Sequence, residues 1–103
     1  MSLLGYFWLL NSLNFLDGFL TVMGIEMGVF YEGNPVVNFF IDNFGLSRGM
    51  FIVKTGMFIL TAVMFKLHQP GSNFVRDCYI ALIVFYSAVI TYTTTIILRA
   101  SNV

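Results

Sequence analysis

Residues 46–67 read LSRGMFIVKTGMFILTAVMFKL, and between Arg48 and Lys66 this stretch carries a single charged side chain, Lys54. A helix needs about 20 mostly apolar residues, at about 1.5 Å of rise each, to cross the hydrocarbon of a bilayer. The stretch has that length. Two others match it: Ser2 to Phe30, interrupted by Asp17 and Glu26, and Cys78 to Leu98, which holds no Asp, Glu, Lys or Arg. The pattern predicts an all-α fold, a bundle of three transmembrane helices within one domain spanning residues 1–103. The first membrane helix is expected over about residues 3–31, the second over about 46–67 and the third over about 75–98.

Composition agrees with that solvent. Hydrophobic residues make up 58% of the chain and charged residues 10%, against about 25% charged in an ordinary soluble domain. Five basic and five acidic side chains give zero formal net charge. That balance excludes the basic face a nucleic acid requires, and no run of Lys or Arg is present to gather anionic headgroups. Cys78 is the single cysteine, so no internal disulfide forms, and no Cys/His spacing suits a metal. Met1-Ser2-Leu3-Leu4-Gly5 lacks a basic flank, and the apolar stretch behind it continues without a small-residue cleavage site. The first segment therefore reads as a retained membrane helix and not as a signal peptide.

Between the first two segments, Asn34-Pro35 is a helix start: a side-chain cap, then a residue whose missing N–H costs nothing at the first helical position. Gly45 is a matching stop. Residues 35–44 are too few to span; Val36, Val37, Phe40 and Phe44 share a side, and Asn38 and Asp42 point elsewhere. A short interfacial helix between membrane helices 1 and 2 is expected. Ser47 is the expected cap of the second segment. The turn His68-Gln69-Pro70-Gly71-Ser72-Asn73 is dense in breakers. Threonines of Thr91-Tyr92-Thr93-Thr94-Thr95 can bond back to carbonyls one turn earlier, so they imply no ligand. Lys66 and Arg76 mark one loop, Glu32, Asp42 and Arg48 the other, which favours the N-terminus inside and the C-terminus outside.

Asp17 lies near the middle of the first segment, where an ionised carboxylate costs at least about 2.5–3.5 kcal/mol on insertion scales. Asn14 and Thr21 lie about one turn away on either side. Lys54 falls about 12 Å into the second segment, counted from Leu46. Antiparallel neighbours put that depth between Glu26 and Asp17, so Lys54 is expected to pair with one of them, Asp17 by face or Glu26 by depth. The expected intramembrane polar cluster is thus Asn14, Asp17, Thr21, Glu26 and Lys54, and Gly24 and Gly28 form a small-xxx-small packing pair. His68 reads as a solvated loop residue and Cys78 as an inert small apolar one. Neither a G-x-S-x-G nor an H-E-x-x-H motif nor a phosphate loop occurs. The chain is therefore expected to hold no catalytic residue, no metal and no obligate cofactor. A bound lipid is admissible, and the Phe-rich faces leave a pigment or quinone contact open.

Asn14-Phe15-Leu16-Asp17-Gly18-Phe19-Leu20-Thr21, then Glu32-Gly33-Asn34-Pro35, then Lys54, resemble a family of small prokaryotic integral-membrane proteins catalogued as a domain of unknown function. Its pattern is N-x-x-D-x-x-x-T in the first helix, E-x-N-P after it and a lysine in the second. The likeness covers roughly residues 11–60. It implies a membrane fold with a shared polar core at Asn14, Asp17, Thr21 and Lys54 and a helix-start motif at the bundle mouth, Glu32, Asn34 and Pro35. It implies no activity, and it suggests a prokaryotic inner or intracytoplasmic membrane.

Two functions compete. The first is a structural or accessory subunit packed against other membrane subunits or against copies of itself, with the bilayer as its remaining partner. The second is an oligomeric proton, cation or small-solute transporter or channel using Asp17 and Lys54. The polar ladder Asn11, Asn14, Asp17, Thr21 and Glu32 sustains the second; the narrowness of a three-helix unit weighs against it.

Overall fold

The computed structural model describes residues 2–29 and 33–101. Helix α1 spans Leu3–Glu26, α2 Pro35–Phe44, α3 Leu46–Leu67 and α4 Phe74–Ser101. Ser2 starts α1 by accepting a hydrogen bond from the Gly5 N–H at 3.0 Å. The helix stops well short of residue 31, and Gly28 is the cause. With φ of 74°, Gly28 turns the chain so that its N–H reaches the Ile25 carbonyl and the Val29 N–H reaches that of Gly24. Those paired bonds satisfy the last carbonyls of α1 and end it. Gly28 is thus a terminator and not half of a packing pair. Glu32 lies outside the described residues.

Asn34 caps α2, its side chain accepting from the Val36 N–H at 2.9 Å, and Pro35 occupies the first turn. On α2, Val37 is buried but Val36, Phe39 and Phe44 are exposed, so the expected apolar side is only partly the packed one. The start of α3 also departs from expectation. Gly45, at φ 93°, precedes it and no side-chain cap bond forms; Ser47 lies inside the first turn. The α2–α3 crossing is tight enough that a Cβ at Gly49 would stand 2.6 Å from the Phe40 carbonyl oxygen. After α3, Gly71 at φ 85° turns the chain into α4.

Helix α1 is the centre. Phe7 meets Tyr79 and Asn14 meets Tyr86, the same 72-residue offset twice, so α1 and α4 run parallel with a seven-residue repeat. That offset sets Thr21 level with Thr93, both buried. Helix α3 runs antiparallel along the other flank of α1, and α2 packs on α3. The result is a flat unit of 51 × 31 × 17 Å, with α3 and α4 meeting beside Phe7, Leu10, Val75 and Tyr79.

Among the described residues, two helices, α3 and α4, are long and apolar enough to cross a membrane. Helix α1 has 24 residues, but Asn11, Asn14, Asp17 and Glu26 dilute its apolar character. Apolarity therefore marks two spans and not the three expected from segment length. Polar side chains share the interior with the apolar core, and many large apolar ones face outward. Asn11, Asn14, Asp17, Thr21, Thr61 and Thr93 are buried, while Trp8, Phe19, Phe51, Ile59 and Val84 are each more than half exposed.

Candidate functional site: the polar core around Asp17 and Lys54

The buried stripe of α1 runs Phe7, Leu10, Asn11, Asn14, Asp17, Gly18, Thr21, Gly24, a pattern that repeats every seven residues and keeps one face toward the neighbouring helices. Glycine at position 18 lets the Lys54 side chain lie across α1: a Cβ there would stand 2.9 Å from Lys54 Cγ. Lys54 Nζ then donates to Asp17 Oδ2 at 2.8 Å, with both side chains about nine-tenths buried. The ammonium also sits 5.3 Å from the centre of the Tyr86 ring, a distance at which the ring face attracts a cation.

Asn14 ties all three long helices together. Its Nδ2 donates to the Lys54 carbonyl at 3.0 Å and its Oδ1 accepts from the Tyr86 hydroxyl at 3.1 Å. One turn away, Asn11 Nδ2 donates to Thr61 Oγ1 and to the Phe7 carbonyl, each at 3.0 Å. The Tyr79 hydroxyl donates to the Thr61 carbonyl. Two tiers result, Asn11–Thr61–Tyr79 and Asn14–Asp17–Lys54–Tyr86, stacked along the axis of α1. Each joins α1, α3 and α4.

Satisfaction is incomplete. Asn11 Oδ1, Asp17 Oδ1 and Thr55 Oγ1 are buried without a hydrogen-bond partner among the described residues. Asp17 thus uses one oxygen on lysine and leaves the other as an available acceptor. The arrangement can accept a hydrogen bond from a further donor. Among the described residues, no group of three or more His, Cys, Asp and Glu side chains could hold a metal.

Of the residues singled out from sequence, Asn14, Asp17 and Lys54 are brought together and Thr21 lies buried one turn beyond. Glu26 does not join them. It sits exposed in the last turn of α1 and forms no ion pair among the described residues, because nine residues of helix put it on the face opposite Asp17. Asn34 and Pro35 serve the start of α2, on α3. His68 is half-buried after α3 with Nδ1 unpartnered, and Cys78 is a half-buried free thiol. Sequence reasoning missed Thr61, Tyr79 and Tyr86. The signal for the tyrosines was present as the seven-residue spacing of Tyr79, Tyr86 and Thr93.

No curated protein and no solved structure matches the chain. A family profile does, over residues 8–99, from the first turns of α1 to the end of α4 and well beyond the 11–60 stretch that carries the motifs. With both tyrosines and the whole polar core inside that match, the chain belongs to the family described as Domain of unknown function (DUF5658).

Proposed function

We propose that this protein is an integral membrane subunit in which α1, α3 and α4 all cross the bilayer, and that its role is structural: packing against other membrane subunits or against copies of itself. The observation that carries the reading is the placement of polarity: amides and an ion pair are buried beside a small apolar core, while large apolar side chains such as Phe19, Phe51 and Leu60 are exposed. In water that arrangement wastes the hydrophobic drive; in hydrocarbon it is the expected one, because cross-helix hydrogen bonds and close packing then hold helices together. Charges at mid-membrane depth must find partners within the protein, and Lys54 and Asp17 supply them for each other. Helix α1 crosses as the shielded member, its polar stripe covered by α3 and α4. The reading assigns no catalysis and needs no cofactor. It places the Lys66–Arg76 loop and the N-terminus inside by the positive-inside rule, in a prokaryotic inner or intracytoplasmic membrane as the motif resemblance suggests.

Transport by an oligomer is the second reading, favoured by the unpartnered acceptors Asn11 Oδ1 and Asp17 Oδ1, about 9 Å apart along α1. Two measurements separate them. Extraction in mild detergent followed by native electrophoresis should give a band above the monomer, containing partner subunits or several copies. Liposomes holding the inserted chain should show the same proton and cation leak for wild type and Asp17→Asn. A flux abolished by Asp17→Asn contradicts the purely structural role and supports transport, and a monomer band contradicts both readings.

A further inference from the structure

Two bare faces of the bundle differ in shape. On α1, Trp8, Phe15 and Phe19 stand out as a ridge, exposed by 53%, 38% and 66%, and Glu26 continues their line at the helix end. At about 100° per residue the four lie within about 40° of one another. On α4, Ser87, Ala88, Thr91 and Thr95 floor a broad, open hollow of about 720 Å³, with Arg99 at its end. The hydroxyls of Thr91 and Thr95 donate to the Ser87 and Thr91 carbonyls, each at 2.8 Å. An apolar side chain laid over them therefore strands no donor.

The faces match in depth. The 72-residue offset of the parallel helices α1 and α4 sets Phe15 level with Ser87, Phe19 with Thr91, and Glu26 with Leu98, one residue short of Arg99. Exposed as they are, ridge and hollow do not meet within one chain. A second copy turned about an axis parallel to the helices keeps every residue at its depth, so the ridge of one copy arrives opposite the hollow of the next. Charge selects this combination. Glu26 and Arg99 are exposed, and neither forms an ion pair among the described residues. Ridge against ridge would set Glu26 against Glu26, and hollow against hollow would set Arg99 against Arg99; like charges so placed repel. Ridge against hollow sets Glu26 opposite Arg99. Shape agrees, since large rings meet small side chains, and close packing is what joins helices where no hydrophobic drive acts between them.

We propose that the partner of these two faces is a second copy of this chain in the same orientation, the α1 ridge of Phe15 and Phe19 seated in the α4 hollow around Thr91, and Glu26 paired with Arg99 of the next copy. The contact is heterologous, so repeated copies form a ring where the rotation closes. It rests on the membrane reading above and names the partner for it. A group bulkier than phenylalanine at position 19 holds the faces apart.

The full chain is reconstituted in lipid vesicles in a Cys78→Ala background. Glu26→Cys and Arg99→Cys are made in separate, differently tagged chains and oxidised alone or mixed. Disulfides between copies should form in the mixture and in neither chain alone. Glu26→Lys and Arg99→Glu, both at exposed positions, should each weaken association by about tenfold, read by resonance energy transfer between labelled copies. The double exchange Glu26→Lys with Arg99→Glu should restore it. Thr91→Trp, which fills the hollow level with Phe19, should weaken association as much as either charge reversal. The contact is overturned by a Glu26→Cys chain that cross-links to itself, a mixture that does not cross-link, a double exchange no better than the single ones, or undiminished association in Thr91→Trp. A wild type that inserts and stays monomeric, or that assembles only with other subunits, overturns it too. Those results leave the membrane reading standing; failure to insert at all removes it.

Discussion

Gly18→Ala is the substitution on which the polar core depends most visibly. The added methyl would stand 2.9 Å from Lys54 Cγ, 3.2 Å from Cε and 3.5 Å from Cδ. The closest atom is near the root of the lysine side chain, so the clash is not relieved by swinging the free end. Lys54 must leave the face of α1, and its 2.8 Å contact with Asp17 Oδ2 is lost. Since Asp17 Oδ1 has no partner, the carboxylate would then be buried with neither oxygen bonded. Breaking one side of a buried pair costs about 3–5 kcal/mol. Alanine returns up to about 1 kcal/mol in helix propensity, which leaves a net loss of about 2–4 kcal/mol. Reversible unfolding in mixed micelles, read by circular dichroism, measures it. A double-mutant cycle makes the test specific: in a Lys54→Ala background no stem remains to collide with, and Gly18→Ala should be neutral or mildly stabilising. An equal loss in both backgrounds would refute the argument that Gly18 exists to let Lys54 pass.

Other substitutions probe separate contacts. Asn14→Ala removes bonds to the Lys54 carbonyl and the Tyr86 hydroxyl and should cost about 1–2 kcal/mol, whereas Tyr86→Phe removes one and should cost about 0.6 kcal/mol, near the average for cross-helix bonds in membranes. The same unfolding assay ranks them, and an equal or reversed order contradicts the bridging role of Asn14. Gly49→Ala sets a Cβ 2.6–2.7 Å from backbone atoms of Phe40 and Ile41, and overpacking of this kind costs about 1–3 kcal/mol. Amide exchange in α2 should accelerate selectively; unchanged exchange would mean that the α2–α3 contact is looser than the geometry indicates.

The same contacts explain what a sequence can disclose here. Ionisable residues are so few that Lys54 has two candidate partners in the first segment, Asp17 by face and Glu26 by depth. Face decides, since Glu26 lies nine residues from Asp17 and on the opposite side of α1. The end of α1 was less visible, because the positive φ of Gly28 is represented by sequence spacing no differently from a packing glycine. Ser47 misled in the opposite sense: a good capping residue sits one position inside the helix, because Gly45 already makes the turn. The tyrosines of α4 were harder to foresee. In an apolar run, aromatic residues are equally at home facing lipid, and only their seven-residue match to Phe7, Asn14 and Thr21 distinguishes the seam. Helix α1 shows the limit most clearly. Asn11, Asn14 and Asp17 lower its apolarity and are shielded by its neighbours, and shielding is a property of the assembled helices, absent from any single segment.

The most direct test of the account is what surrounds Phe19, Ile59 and Val84, which lie on α1, α3 and α4 and are 66%, 57% and 64% exposed. Each is replaced by cysteine in a Cys78→Ala background, spin-labelled and reconstituted in lipid vesicles, and the relaxation enhancement by oxygen is compared with that by a water-soluble nickel chelate. The account predicts strong oxygen access and negligible nickel access at all three positions, α1 included. Nickel access at the level of an exposed aqueous site would contradict it.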